Sequence, residues 1–450
     1  MSFLPVNYYY KDILKIAIPA VAGLSTQMVV SLVDAAMVGR LENPKFALAA
    51  MGVGVLATWA IVSFFSSLAS GTHLIVARRF GEKKYKECGE TLINSLYMAL
   101  LIGTIIVLFG VFLSTTVGHF FAKDPKVGDL ASEYIFFRLL GIPFFLMTVS
   151  YRGFFFGLGN TKIFMISGIL TNIFNIIFNY GFIYGNFGLP KMGLAGAGIG
   201  SSLATLCDAI FYLIVSLNAN FRVKFSLYQN LKIIPQILKS IYKIALPISF
   251  QNVFILVGFL SFISVTGLIG VAEQAATQAI ISLLFLSFLP CYGFGIAVQT
   301  LVGTSVGKGK KLLAKIYGLE TAKIATYYTV SLALLFIFIP HWMLNLITTD
   351  QSIIDIAIPA MRIAGFAQVF YATGVVLANG LQAIGKSAFV MRAEIFANLA
   401  LFVPLSYLFG VVWGFGLEGA WLALPVYIII YAAIILIKFK YGKWKSLMKI

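Results

Sequence analysis

The chain has 450 residues, of which 60% are hydrophobic and only 11% charged. Soluble proteins carry about 25% charged residues, so these proportions exclude a globular enzyme with a single anchor and point to a polytopic membrane protein. A net charge of +17 would suggest nucleic-acid binding in a soluble chain; here basic loops account for it, and no nucleic-acid partner is expected.

The opening stretch, Met1 to Asp12, lacks the charged, apolar and small-residue succession of a signal peptide. Twelve apolar segments follow, near residues 13–39, 47–77, 91–118, 130–157, 163–185, 193–217, 243–269, 277–305, 316–343, 353–382, 389–411 and 417–437. Each reaches the roughly 20 residues that a spanning helix needs. With the N-terminus in the cytoplasm, 26 of the 33 Lys and Arg residues fall inside and 7 outside, which predicts cytoplasmic N- and C-termini. The connection from Asn218 to Lys243 is the longest hydrophilic one. Leu231, Ile234, Ile237, Leu238 and Ile241 recur there at helical spacing against Lys232 and Lys239, which predicts an interfacial amphipathic piece.

The two halves repeat. Lys15-Ile-Ala-Ile-Pro19-Ala20 echoes Lys243-Ile-Ala-Leu-Pro247-Ile248, and Gly157-Leu-Gly-Asn-Thr-Lys162 echoes Ala383-Ile-Gly-Lys-Ser387. Phe80-Gly81 to Lys84, Phe137-Arg138 with Gly141, and Gly193 to Ala197 are echoed in the same order, at offsets of 223–228. Six spans per half is an even number, so the repeats are parallel. The expected fold is an all-α polytopic membrane protein with 12 transmembrane helices in two pseudo-symmetric six-helix bundles. The lobes are residues 1–217 and 243–450, the second with a basic C-terminal tail. The cytoplasmic linker is 218–242, and the plasma (inner) membrane is the expected location.

The first span ends with the stretch that carries the chemistry. Asp34 sits roughly 9 Å inside the helix end marked by Arg40. An unpaired charge at membrane depth costs on the order of 3 kcal/mol, so such an acid faces a partner, a cavity or an ion. Gln27, Ser31 and Asp34 share one helical face at i, i+4 and i+7. In the fifth span Asn172, Asn175 and Asn179 share a face at i, i+3 and i+7, and the sixth span adds Ser201 and Ser202. One carboxylate, several amide carbonyls and a hydroxyl form a hard-oxygen cluster. It suits Na⁺ or a carboxyl that gains and loses H⁺. The second half has Phe262, Leu401 and Leu405 where the first has Asp34, Asn175 and Asn179, so the fold does not need these polar residues.

Elsewhere, Asp208 is expected to pair near the interface, with a relay role as the alternative. Cys88, Cys207 and Cys291 have neither disulfide nor metal spacing, and His73, His119 and His341 are scattered. No Gly-x-x-x-x-Gly-Lys-Ser/Thr loop, nucleophile elbow or His-Glu-x-x-His occurs. An ion gradient must therefore supply the driving force, and the chain is not expected to be an enzyme.

With these motifs in order, the sequence resembles the MATE family, the multidrug and toxic-compound extrusion transporters. The likeness covers the whole chain. It rests on Val33-Asp34-Ala-Ala-Met-Val-Gly39-Arg40, on Arg152-Gly153 with Gly157-Leu-Gly-Asn-Thr-Lys162, and on Asn175-Ile-Ile-Phe-Asn179 leading to Phe182-Ile-Tyr-Gly185. Gly188-Leu-Pro190 and Gly193-Leu-Ala-Gly-Ala-Gly198 follow. The resemblance implies export of bulky, aromatic organic cations in exchange for H⁺ or Na⁺, with the first-half cation site mapped onto Asp34, Asn175, Asn179 and Ser201. Gln27, Ser31 and Asn172 are its supporting candidates. Many relatives have an acid where this chain has Asn179. One branch has acids in the seventh and tenth spans, where this chain offers Gln251, Asn252 and Tyr371, so a second-half cation site lacks its acids. Those three, with Gln278 and Ser282 of the eighth span, are the candidate substrate contacts. The expected partners are membrane lipids and small organic cations, with a monomer as the working form and no cofactor besides the coupling ion. A flippase for a lipid-linked saccharide is the alternative; it needs a basic groove, for which only Arg152 is placed.

Overall fold

The computed structural model describes residues 7–442 apart from Lys123. Lys443, Lys445 and Lys449 of the basic tail lie outside the described residues. Among the described residues every regular element is a helix. The solvent dictates this: in hydrocarbon an unpaired backbone group costs several kcal/mol, and a helix pairs its own groups within one segment. In chain order the helices are α1 (Asn7–Val38), α2 (Pro44–Phe65), α3 (Ser67–Gly81), α4 (Tyr85–Phe121), α5 (Pro125–Leu140), α6 (Ile142–Gly157), α7 (Thr161–Tyr184) and α8 (Leu194–Leu217). Then come the short α9 (Ala219–Arg222), α10 (Pro235–Ile269), α11 (Val271–Gly307), α12 (Lys311–Phe338), the short α13 (Pro340–Asn345), α14 (Gln351–Ala383), α15 (Ser387–Ile395), α16 (Val403–Tyr407) and α17 (Gly416–Tyr441). Phe396–Phe402 and Leu408–Val412 are π-helical and join α15 and α16 into one rod.

All twelve predicted spans are present among the described residues. Eleven are single rods long and apolar enough to cross a membrane, and α5 with α6 makes a twelfth, bent by 46°. The bend falls at Gly141, with Pro143 in the first turn of α6, where its missing N–H costs nothing. Gly103 of α4 lets that corner approach, since a Cβ there would lie 2.5 Å from Pro143 Cα.

The helices form two compact units, residues 22–249 and residues 1–21 with 250–450. They divide the chain at other points than the sequence halves do. Helices α1 and α10 each pass from one unit into the other, and each changes unit two residues after its internal proline, Pro19 or Pro247. Within unit 22–249, Tyr151, Phe154, Phe155 and Tyr212 pack together with Phe225 and Leu227 of the linker. In the other unit the core centres on Phe262, Phe336, Phe402 and Trp421. Phe112 and Phe120 are 82% and 80% exposed, as suits side chains that meet lipid rather than water.

The internal repeat is visible in the backbone. Gly159 and Gly385 close the turns after α6 and α14 with φ of 75° and 82°. Gly193 and Gly416 precede or open the last span of each half with φ of 56° and 60°. Lys83 stands at φ 61° where the second half has Gly309 at 72°.

The linker departs from expectation. No separate amphipathic helix spans Leu231 to Ile241: residues 231–234 are irregular, and Pro235 opens α10. A proline favours the first turn of a helix and disfavours helical geometry in the residue before it, so the period continues into α10 instead of forming its own element. The irregular piece is fastened to α4. Asn94 Nδ2 donates to Lys232 O at 3.3 Å, Ile234 N donates to Asn94 Oδ1 at 2.7 Å, and Tyr97 Oη donates to Leu231 O at 2.9 Å.

Replacing Asn94 with Ala removes two of these bonds and leaves a backbone N–H unpaired, a cost of about 1–3 kcal/mol. The expected outcome is faster trypsin cleavage at Arg222, Lys224 and Lys232 than in the wild type. Equal cleavage rates would mean that Asn94 does not hold the linker.

Candidate functional site

Helices α1, α7 and α8 bring the four predicted coupling residues together. Asp34 is 6% exposed although it sits in a spanning helix. Asn179 Nδ2 donates to Asp34 Oδ1 at 2.7 Å and to Asn175 Oδ1 at 3.2 Å. Asn175 Nδ2 donates to Ser201 Oγ at 3.1 Å. The two asparagines meet because they are one helical turn apart. Asn179 fits because α8 has no side chain opposite it: a Cβ on Gly200 would lie 2.2 Å from Asn179 Oδ1. Small residues at such crossings let helices in a membrane approach closely. Gly196 plays the same part against the Phe182 backbone.

One acceptor in this cluster is left over. Asn179 Oδ1 is buried and has no hydrogen-bond donor, although buried acceptors in native structures are nearly always paired. Among the described residues no ion pair reaches Asp34, whose direct partner is the neutral Asn179. The charge in its field comes from α5 through Arg138, and the same helix places the buried, neutral Tyr134 close by. Sequence reasoning missed both. Arg138 sits in a bent span whose register against α1 no periodicity reveals.

The supporting candidates divide. Asn172 Nδ2 donates to Thr26 O at 3.0 Å and so ties α7 to α1. Gln27 and Ser31 are exposed and stay outside the cluster; Ser31 Oγ donates to the Gln27 carbonyl of its own helix at 3.2 Å. At the end of α1, Tyr184 Oη donates to Met37 O at 2.7 Å. In the following loop Lys191 Nζ donates to Glu42 Oε1 at 2.6 Å, which holds the Glu42 carboxyl below its usual range.

Asp208 is paired with Arg152 Nη2 at 3.1 Å, both being largely enclosed, and the Arg152 guanidinium lies 5.1 Å from the Phe164 ring centre. The pairing reading of Asp208 therefore holds. In the other unit, Gln251 is buried and accepts from Gln382 Nε2 at 3.0 Å. Tyr371 packs against Phe288, with ring centres 5.0 Å apart. Gln278 is exposed, Ser282 Oγ bonds the Gln278 carbonyl of its own helix at 2.9 Å, and Asn252 is half-buried. That unit also holds a group the sequence reading passed over, Glu394 in α15, which is 2% exposed. Its neighbours Lys386 and Arg392 make the stretch look like a solvated helix start, which is why sequence alone did not single it out.

The arrangement around Asp34 has a defined chemistry. A carboxylate with a spare buried amide oxygen beside it accepts one proton on the carboxyl, or offers two hard oxygens to one Na⁺. It contains no nucleophile–base pair of the kind that hydrolases use.

A buried acid on a scaffold of twelve apolar helices marks a polytopic membrane protein with a functional polar site inside its spans. The sequence pattern of the MatE family fits residues 19–181 and 247–408, and the chain belongs to that family. A probable multidrug resistance protein NorM from Thermotoga maritima is 25% identical over 443 residues, covering 97% of this chain and 93% of the relative. One of the same description from Bacillus cereus is 26% identical over 412 residues, covering 91% and 90%. Among solved structures, the outward-facing conformation of a multidrug resistance MATE family transporter of the MOP superfamily superposes with a TM-score of 0.88 at 22% identity. That match covers 98% of this chain and 97% of the other.

Two substitutions test this geometry. Gly200→Ala places a methyl against Asn179 Oδ1, and such overpacking costs about 1–3 kcal/mol; the melting temperature in detergent is expected to fall. Asp208→Ala leaves Arg152 buried without its partner, at a cost of about 3–5 kcal/mol. Adding Arg152→Leu is expected to recover most of that loss, whereas additive losses would mean that the two residues do not act as a pair.

Proposed function

We propose that this protein is a secondary antiporter. It exports amphipathic, aromatic organic cations against H⁺ or Na⁺ by alternating access of its two lobes, and Asp34 is the coupling group. The observation that carries the reading is the buried Asp34 carboxyl whose direct partner is a neutral amide, with the unpaired Asn179 Oδ1 beside it. Such a site lacks one positive or donating group, and a coupling ion supplies it. The names of the two relatives, both multidrug resistance proteins, support the substrate class.

In the outward-facing state the ion enters at Asp34, Asn175 and Asn179. Binding neutralises the carboxyl, changes the hydrogen bonds that fix α1 to α7, and releases the organic cation. One charge moving through 100 mV supplies about 2.3 kcal/mol, roughly a fifty-fold concentration ratio. The protein works as a single chain in the plasma membrane, with cytoplasmic termini. The lipid-linked saccharide flippase is not favoured, because Arg152 is already neutralised by Asp208 and no longer offers a free cation to a pyrophosphate.

Ethidium efflux from proteoliposomes tests the proposal, with either a pH gradient or a Na⁺ gradient imposed on wild type and Asp34→Asn. The expected result is efflux under one gradient and a loss of at least about ten-fold in the variant, the scale of one removed charge-assisted bond. Efflux under the pH gradient alone makes Asp34 a proton carrier; efflux under the Na⁺ gradient alone makes the cluster an ion site. Undiminished efflux in Asp34→Asn would overturn the assignment.

A further inference from the structure

Besides Asp34, Glu394 is a second buried acid of a span that makes no ion pair among the described residues. It lies at the end of α15, 2% exposed. Among the described residues it makes no ion pair; the nearby Arg392 Nε is spent on Ala388 O of its own helix at 3.2 Å. The groups facing the carboxylate come from four other helices. Tyr427 Oη of α17 donates to Glu394 Oε1. Tyr431 of α17 and Gln251 of α10 lie beside the carboxylate, and Tyr292 of α11 and Tyr371 of α14 complete the titratable surroundings, with Cys291 next to Tyr292. None of these carries a positive charge.

The amide behind Glu394 is the end of a row. Gln299 Nε2 of α11 donates to Gln382 Oε1 of α14 at 3.0 Å, and Gln382 Nε2 donates to Gln251 Oε1 at 3.0 Å. The two bonds of the row run in one sense, towards Gln251, while Gln299 Nε2 also donates to Asn379 Oδ1 at 2.8 Å. Aligned hydrogen bonds polarise one another, and this row ends beside the carboxylate. Four residues on, Asn398 is 2% exposed, and its Oδ1 is buried without a donor. It fits because α10 has Gly258 opposite, where a Cβ would lie 1.7 Å from Asn398 Oδ1. The helix is π-helical from Phe396, a local irregularity that recurs at working sites of helices.

We propose that Glu394 is a second proton-binding carboxyl of this protein, in the unit that does not contain Asp34. One O–H bond forms on the carboxylate as one O–H bond of a hydronium ion breaks and leaves water; on release the carboxyl O–H breaks and the proton returns to water as hydronium. A proton needs one carboxylate oxygen only, whereas Na⁺ needs several oxygens at once, and the oxygen neighbours of Glu394 are already engaged: Tyr427 with Glu394 and Gln251 Oε1 with Gln382. Protonation turns one acceptor oxygen of the carboxylate into a donor, which changes the hydrogen bond from Tyr427 and with it the contact of α15 with α17. At the repeat offset that pairs Asn175 with Leu401, Glu394 corresponds to Gly168. The acid is therefore not a requirement of the shared fold. The proposal depends on the antiport reading only for the use to which the proton is put.

The test is an infrared pH titration of the full chain in lipid, which needs no transport. The spectra follow the C=O stretch of protonated carboxyls from about pH 9 to about pH 5, the range in which shifted carboxyls titrate. The expected result is a band that grows as the pH falls, persists in Asp34→Asn, vanishes in Glu394→Gln and returns, displaced, in Glu394→Asp. Tyr427→Phe removes one donor and is expected to displace both the frequency and the pH midpoint of that band. It decides the matter where Glu394→Gln does not fold. Spectra of Glu394→Gln that superimpose on the wild type, or a band unmoved in Tyr427→Phe, would overturn the proposal. A lost Glu394 band with intact efflux in Asp34→Asn would instead sink the antiport assignment and leave Glu394 standing.

Discussion

An N–H, O–H or charged group left unpaired in hydrocarbon costs several kcal/mol, and the polar side chains of this protein are arranged around that cost. Hydroxyls are absorbed locally. Thr58 bonds the Gly54 carbonyl, Thr72 that of Leu68 and Ser150 that of Leu146, each one turn back on its own helix. An amide can place one donor the same way, as Asn379 does on the Val375 carbonyl, but its remaining groups and the carboxylates find partners between helices. One gathering joins α1, α7 and α8 through Asp34, Asn179, Asn175 and Ser201. The other joins α10, α11, α14, α15 and α17 through Glu394 and the glutamines behind it. Both are roomy for the same reason, a glycine opposite an asparagine: Gly200 for Asn179 and Gly258 for Asn398. Both also leave that asparagine's carbonyl unsatisfied.

The two gatherings lie at different places in the repeat. Asp34 corresponds to Phe262 and Glu394 to Gly168, so duplication supplied the helices and turns while each half acquired its own acid. The shared parts are the positive-φ turns at Gly159 and Gly385 and the matched pair Lys83 and Gly309. Chain geometry is preserved where steric rules leave one solution, and chemistry diverges where a helix face accepts either a leucine or an amide.

Length and hydropathy made the twelve spans legible, because a rod of about 20 apolar residues has few alternatives. The spacing of Asn175 and Asn179 and the isolation of Asp34 made the first network legible for the same reason: helical periodicity is a one-dimensional signal. Arg138, Tyr134 and the amide row were not legible, since contact between different helices depends on register and crossing angle, which no single helix encodes. Gln27 and Ser31 share a face with Asp34 in the sequence, yet they stay outside its hydrogen bonds. The π-helical turns after Glu394 rotate the following residues off an α-helical count, so periodicity misreads that rod. The linker was misjudged because Pro235 redirected an apolar period into α10.

The passage of α1 from one unit to the other also bears on how the protein is made. The part of α1 up to Val21 is made before residues 250–442, yet it belongs to the same unit as they do. Val21 packs against Gly293, and Tyr317 Oη donates to Asp12, a partner 305 positions away in the chain. The start of α10 is exchanged in the opposite sense, to the unit formed by residues 22–249. Each half thus lends the other the opening of its first helix, as subunits do in a domain-swapped dimer. The opening segment of α1 must wait until residues 22–249 have been made before its partners exist. A ribosome stalled midway leaves that segment held by lipid alone, a natural point for insertion factors and quality control to act.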